Sequence, residues 1–162
     1  ANPWRQESRS SPQKTPSTPQ KPSRPPCDPA KVRSELRAIV KELCKTRDVP
    51  EAVERVGDVR MTKEMQAGEL QHVVFAVAEE NKADARVVCF RFVVGLFVDG
   101  VFGKSELLPG LDKLASNFED MAVDLPPLPR ILREECQPAL EELVRKDIIS
   151  SEDFEAFSKR LR

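Results

Sequence analysis

From about residue 29 onward, apolar residues recur every three or four positions, which is the period of an amphipathic α-helix. The stretch DPAKVRSELRAIVKELC offers Asp28 as a helix cap and Pro29 at a first helical position. It then places five apolar side chains on one face: Val32, Leu36, Ile39, Val40 and Leu43. The same period recurs in VPEAVERV and in ELQHVVFAVAEE, where Glu69 falls among the polar positions. The pattern predicts a series of short amphipathic helices.

The segment ARVVCFRFVVGLFVDGVF is harder to assign. It is rich in Val and Phe and ends in an Asp-Gly pair, so residue propensity alone favours a β-hairpin. The run is long for one strand, however, and it follows a candidate helix cap at Asn81 or Asp84. A lone hairpin among helices would also leave exposed strand edges. We therefore predict a central helix over Asp84 to Asp99, covered by neighbours on most sides, with Gly95 at a close-packed position.

A further apolar stripe predicts one helix over about residues 105–123, with its buried side formed by Leu107, Leu111, Leu114, Phe118, Met121 and Leu125. On a different face, Asp120 and Asp124 lie one helical turn apart. Like charges at this spacing slightly weaken a helix, and anions near its C-terminal end oppose the helix dipole. One structural explanation makes Asp124 the cap of the next helix. That explanation leaves Asp120 without a role.

The last predicted helix lies in PLPRILREECQPALEELVRK and contains an internal proline. Pro138 is expected to kink it, because proline lacks the backbone N–H of a regular turn. Glu134 and Glu135 are predicted to belong to a solvated face, whereas Cys89 and Cys136 are predicted to pack in apolar surroundings.

Composition divides the chain at about residue 30. Residues 1–29 contain eight of the 14 prolines and no aliphatic side chain larger than Ala, which predicts a disordered linker. Residues 30–162 are predicted to form one helical domain. The linker has a net charge of +3 and the domain one of −4, so RNA contact by the basic tail is conceivable. Three candidate phosphorylation sites precede prolines in it: Ser11, Thr15 and Thr18.

Several functional classes are disfavoured. The longest apolar run, Val87 to Val98, is interrupted by Arg91 and is too short for a membrane span. Four scattered cysteines form no C-x-x-C pair and His72 is the only histidine, so we predict free thiols and neither metal nor other cofactor. No convergent set of catalytic groups is apparent, and we predict a protein that is not an enzyme. Because the chain opens without methionine or a signal-peptide pattern, we expect a segment of a longer cytoplasmic protein.

One motif indicates a family. The pattern FEDMAVDLPP, preceded by GKSELLPGLDKLASN and followed by PRILREECQPALEELVRKDIISSEDF, resembles the signature of the MA-3 domain. That all-helical, HEAT-like domain occurs in translation initiation factor 4G and in the programmed cell death 4 tumour suppressor. The upstream helices follow in the order of the domain, so the resemblance covers about residues 31–158. An extra proline in LPPLP and a central helix heavy in Val and Phe depart from the pattern. The resemblance implies an all-α, HEAT-like stack of antiparallel helix pairs preceded by a disordered tail.

For function, the resemblance implies a monomeric protein-binding module of a translation initiation scaffold. MA-3 domains bind the DEAD-box RNA helicase initiation factor 4A, and acidic residues at the end of this helix pair with basic groups on the helicase. The matching positions here are Asp120 and Asp124, with Glu119 as an adjacent partner-binding candidate. Two carboxylates one turn apart are suited to charge-assisted hydrogen bonds from arginines. Other initiation factors are further candidate partners.

Two alternative functions stay open. In one, the chain is a structural or RNA-associated module of another RNA-processing or ribosome-bound assembly. In the other, it is a helicase-sequestering translation inhibitor of the programmed cell death 4 type. The Pro- and Ser-rich tail resembles the linkers of the initiation-factor scaffold and favours the scaffold interpretation over the inhibitor.

Overall fold

The structure, a computed structural model, describes residues 28–161. This part of the chain contains no β-strand and folds into eight helices, of which the first four are α1 (Pro29–Thr46), α2 (Val49–Gly57), α3 (Lys63–Ala78) and α4 (Ala83–Val98). A 3₁₀ turn at Lys104–Glu106 leads into α5 (Leu107–Ser116) and α6 (Phe118–Asp124). The continuous helix α7 consists of Leu128–Ile131, a π-helical segment Leu132–Cys136 and Gln137–Arg145, and α8 is Ser151–Arg160. The predicted all-α, HEAT-like class is confirmed.

The candidate phosphorylation sites Ser11, Thr15 and Thr18 lie outside the described residues, as does most of the predicted linker. Among the helices of residues 28–161, none is long and apolar enough to cross a membrane.

The first helix forms as its sequence predicts. The Asp28 side chain accepts a hydrogen bond of 3.0 Å from the Ala30 N–H, which caps the helix one residue before Pro29. All five predicted apolar residues of α1 are buried. At the other end, Arg47 adopts the left-handed conformation with φ 63° and donates its N–H to the Leu43 carbonyl at 2.8 Å. Local sequence therefore predicts the start of α1 and its buried face.

The Val- and Phe-rich segment is helical, as predicted, and forms the centre of the domain. Helix α4 packs against α1, α2, α3 and α7, so side chains on nearly all of its sides avoid water. Gly95 is a close-packed position, because a Cβ there would lie 3.2 Å from Val53 Cγ2. The helix ends before Gly100, whose φ of 76° favours glycine.

The predicted cap of α4 is wrong. Its cap position is Lys82, with no side-chain hydrogen bond, rather than Asn81 or Asp84. Asp84 lies in the first turn of the helix and pairs with Arg47 at 3.2 Å. An acidic residue in the first turn satisfies the helix dipole without being the cap.

Helix α7 contains the deviation expected near Pro138. The π-helical segment Leu132–Cys136 immediately precedes the proline, which occupies the first turn of the segment Gln137–Arg145. The wider π-turn accommodates a residue that cannot donate a backbone hydrogen bond. Cys136 is buried here and Cys89 is buried in α4, so both pack as predicted.

Candidate functional site

The helix predicted over residues 105–123 is interrupted, and this prediction was wrong in one respect. Asn117 separates α5 from α6, with φ −102° and ψ 5°. Its side-chain amide donates to the Lys113 carbonyl at 3.0 Å and to Gln71 Oε1 of α3 at 2.9 Å. Asparagine side chains compete with the backbone in this way inside helices. Asp120 consequently lies in the first turn of α6, where a carboxylate is favoured, instead of near a C-terminal end.

The proline cluster ends α6, as the sequence predicts. Leu125 adopts φ −135° and ψ 85°, because a residue before proline is excluded from the helical region. The next helix begins at Leu128 with Pro127 at its cap position and no side-chain capping bond. The structural explanation of Asp124 as the cap of α7 is therefore wrong. Asp124 is instead the last residue of α6, where the helix dipole disfavours an anion.

Four residues form what we call the α6 surface: Glu119, Asp120, Val123 and Asp124. All four are exposed, and Val123 is 80% accessible to solvent. Within residues 28–161, none of the three carboxylates takes part in an ion pair or a side-chain hydrogen bond. The α6 surface therefore combines three unpaired negative charges with one exposed aliphatic side chain.

The opposite side of α6 anchors it to the domain. Phe118 and Met121 are buried in the core, in line with Leu107, Leu111 and Leu114 of α5, as predicted. The Asn117–Gln71 hydrogen bond attaches the start of α6 to α3. Short helices are marginal by themselves, so this packing is what holds the seven residues in place. The α6 surface is thus a fixed feature of the domain.

Chemically, the α6 surface consists of hydrogen-bond acceptors. Carboxylates without partners are suited to charge-assisted hydrogen bonds from Arg or Lys side chains, and those from Arg are often bidentate. Across residues 28–161, no group of three or more His, Cys, Asp or Glu side chains is arranged to hold a metal ion. The arrangement fits recognition of a basic protein surface.

A groove of about 410 Å³ between α4 and α7 has a different character. Its floor is apolar, formed by Val94, Gly95, Val98, Pro138 and Ala139. Its rim includes Arg91, Lys146, Arg145 and Glu142, and the last two are paired at 2.6 Å. The groove includes no residue of α6, so it is separate from the α6 surface.

Two acidic residues that the sequence pattern assigned to the solvated side, one buried and one partly buried, make internal ion pairs, so these assignments were wrong. Glu69 is only 4% exposed; its Oε2 accepts from Arg33 at 3.2 Å and its Oε1 has no partner. Glu135 binds the buried Arg86, whereas its neighbour Glu134 is exposed as predicted. No local pattern reveals these contacts, because their partners lie 36 and 49 positions away.

Comparison with known families identifies the domain. A family model described as the MA3 domain matches residues 32–150, which include most of α1, all of α2 to α7 and the whole α6 surface. No curated protein matches the chain. Because the matched region is well over half of the 162 residues, the family is established by the match. The chain belongs to the MA3 domain family, whose members are helical protein-interaction modules found in translation factors.

Proposed function

We propose that this domain docks the DEAD-box RNA helicase initiation factor 4A through the α6 surface, as a non-enzymatic binding module of a cytoplasmic translation initiation scaffold. The proposal rests on one observation above all. Three exposed carboxylates lie together on α6 without any ion-pair partner in the described part of the chain. Family membership supports a protein as the ligand, and the charge supports a basic surface on that protein.

The energetics of α6 support a binding role for the carboxylates. Asp120 gains a little from the helix dipole, but Asp124 lies at the unfavourable end and repels Asp120 from four positions away. Neither residue contributes packing, since both point away from the core. Carboxylates that contribute little to folding but are complementary to a basic surface are best explained by recognition.

Val123 provides the apolar component of this recognition. It lies between Asp120 and Asp124 in sequence and is the most exposed of the large hydrophobic residues in residues 28–161. Interfaces usually combine an apolar centre with polar groups around it. In the proposed complex, Val123 contacts aliphatic stems of the basic side chains while the carboxylates bind their charged ends.

The anchoring of α6 reduces the cost of binding. Because Phe118 and Met121 are buried and Asn117 is bonded to Gln71, the backbone of α6 is already ordered before the partner arrives. Ordering costs on association are correspondingly lower. The affinity of the complex should therefore depend on the side chains of the α6 surface.

Charge reversal at the α6 surface tests the proposal. Asp120→Lys/Asp124→Lys turns two attractive contacts into repulsive ones, and loss of even one desolvated charge contact costs about 2–5 kcal/mol. Isothermal titration calorimetry with the purified helicase should show affinity weakened at least about 30-fold, the equivalent of about 2 kcal/mol. Circular dichroism should stay helical, because neither side chain packs in the core.

Glu54→Lys/Asp58→Lys is the matched control. These carboxylates are also exposed and four positions apart, at the end of α2, and their reversal changes net charge by the same amount. This variant should bind the helicase nearly as well as the parent chain. If both double variants weaken binding equally, the loss of affinity reflects long-range electrostatic repulsion and not contacts at the α6 surface. If the α6 variant binds as tightly as the parent chain, the proposed site is refuted.

The scaffold role is tested separately, by the effect of the domain on the ATPase rate of the helicase. A scaffold module should raise the RNA-dependent ATPase rate of the helicase, whereas a sequestering inhibitor should lower it. Titrating the domain into the purified helicase and RNA measures the direction. A lowered rate with intact binding would contradict the scaffold assignment while leaving the docking site in place.

A further inference from the structure

Two cysteines that are 45 positions apart in the sequence meet inside the domain. Cys44 lies near the end of α1 and Cys89 in the middle of α4, and their sulfur atoms are 3.5 Å apart. Both are free thiols in the structure. Widely spaced cysteines were predicted to stay unpaired, and the sequence alone contains no sign of this contact.

Only one member of the pair is accessible. Cys44 is half-buried and lines an open cavity of about 180 Å³ together with Lys41 and Glu80. Cys89 is fully buried beneath it. A small reagent in the cavity therefore reaches the sulfur of Cys44 first, and the sulfur of Cys89 lies 3.5 Å from that atom.

From this geometry we propose that Cys44 and Cys89 form an oxidisable dithiol, which a hydroperoxide converts into an intramolecular disulfide between α1 and α4. The site is independent of helicase docking. Its substrate class is small peroxides, for which hydrogen peroxide is the simplest member.

The reaction balances in two steps. The Cys44 sulfur, as thiolate, attacks one peroxide oxygen, so that an S–O bond forms and the O–O bond breaks. The departing hydroxide takes up the proton released by Cys44 and becomes water. The Cys89 sulfur then attacks the Cys44 sulfur, the S–S bond forms and the S–O bond breaks. The second hydroxide takes up the Cys89 proton, so the two thiols lose two electrons and the peroxide becomes two waters.

The surroundings favour closure with little movement. A disulfide needs its sulfurs about 2 Å apart, so the pair must approach by roughly 1.5 Å. Arg47, which follows α1, pairs with the exposed Asp84 of α4 at 3.2 Å, so the two helices are also in contact beside the cysteines. Side-chain rotation of Cys44 and a small shift of the end of α1 should suffice.

The same surroundings keep the pair reduced under ordinary conditions. Burial raises the pKa of the Cys44 thiol, and burial followed by the hydrogen bond with Cys44 raises the pKa of the Cys89 thiol. Because the thiolate is the reactive form, both steps are slow at neutral pH. The dithiol should consequently respond to sustained peroxide and not to brief exposure.

Peroxide treatment of the full chain tests the inference. The reduced protein is incubated with hydrogen peroxide, remaining thiols are blocked with N-ethylmaleimide, and the products are analysed by intact mass and by peptide mapping without reductant. We expect a monomer that has lost two hydrogen atoms, with one linked peptide pair joining Cys44 to Cys89. Dithiothreitol should reverse it, and the melting temperature should rise by roughly 5–15 °C while the link is present.

Single substitutions identify the thiols involved. Cys44→Ser, at a half-buried position, should abolish the linked product, whereas Cys136→Ser removes a buried thiol from another helix and should leave the product unchanged. Circular dichroism confirms that each variant is folded. A link of Cys44 to Cys27, dimers joined between chains, or a Cys44 sulfinic acid without any link would each overturn the proposal.

Discussion

Replacing Glu135 should destabilise the domain strongly, because it removes the counter-charge of a buried arginine. The Arg86 side chain is 8% exposed and that of Glu135 is 13% exposed. Their contact is bidentate, with Nε donating to Oε1 at 2.7 Å and Nη2 donating to Oε2 at 2.9 Å. It attaches α4 to the π-helical segment of α7. Glu135→Ala leaves the guanidinium buried without this partner.

The size of the destabilisation depends on the hydrogen bonds that Arg86 keeps in the Glu135→Ala variant. Removing one member of a buried ion pair costs about 3–5 kcal/mol. Arg86 still donates from Nη1 to the carbonyls of Glu80 at 2.8 Å and Asn81 at 3.2 Å, and alanine leaves room for water beside it. We therefore expect the free energy of unfolding to fall by about 3 kcal/mol, at the lower end of that range.

Glu134→Ala is the matched control from the adjacent position. Its side chain is 54% exposed and lies 3.6 Å from Arg130, so its loss should cost less than about 0.5 kcal/mol. The double variant Arg86→Met/Glu135→Leu removes both charges and replaces them with apolar volume, so it should be more stable than Glu135→Ala alone. The difference in stability between the double variant and Glu135→Ala separates the cost of losing the contact from the cost of leaving a buried charge unpaired.

The free energy of unfolding of the parent chain and of the three variants is measured by urea unfolding, followed by circular dichroism. The denaturation midpoint of Glu135→Ala should decrease without a change in slope, since the slope reports the surface exposed on unfolding. Equal midpoints for Glu135→Ala and Glu134→Ala would refute the reasoning, because they would mean that the buried pair contributes no more than an exposed one.

Two further predictions use the same urea assay. Burial, followed by the charge of Arg33, lowers the pKa of His72 from 6.5, so the unfolded chain binds the proton more readily than the folded one. The free energy of unfolding should therefore fall as pH drops below about 6.5, and His72→Gln should remove this contribution to the pH dependence. An unaltered slope in the variant would contradict this. Phe102 is fully buried and meets Phe97 edge to face at 5.7 Å, so Phe102→Ala should cost about 3–5 kcal/mol and Phe102→Leu less; equal costs would contradict the packing account.

The parts of the fold that depend on local signals were predictable. Helix α1 has its cap, its proline and its apolar face within one short stretch, and all of them appear in the structure. Helix α4 required a non-local judgement, because its residue propensities favour a strand. Its burial on nearly every side explains why tertiary context overrides that preference.

The break at Asn117 was missed because the apolar stripe continues across it. Phe118 and Met121 keep the spacing of Leu111 and Leu114, so the hydrophobic pattern alone indicates one helix. The side chain of Asn117 decides otherwise through bonds to Lys113 and to Gln71 of another helix. The asparagine inside a predicted helix was a signal that the sequence offered. The sequence did not show that its side chain would find a partner on α3.

The candidate site was partly predictable. The spacing of Asp120 and Asp124 and the family resemblance made both carboxylates candidates, and both are exposed in the structure, as a docking role requires. The high exposure of Val123 depends on how α6 is oriented on the domain, which no local sequence pattern predicts. Contacts between distant positions, such as Arg86 with Glu135 and Cys44 with Cys89, arise only from the packing of helices.

The central claim, that α6 is the docking surface, is tested most directly by amide chemical shifts of the ¹⁵N-labelled domain during titration with unlabelled helicase. We predict that the largest changes fall on residues 117–125, and that they disappear in Asp120→Lys/Asp124→Lys. The amide of Val123 should shift with them, because Val123 lies between the two acidic residues. Saturating changes confined to other helices, with α6 unaffected, would contradict the account.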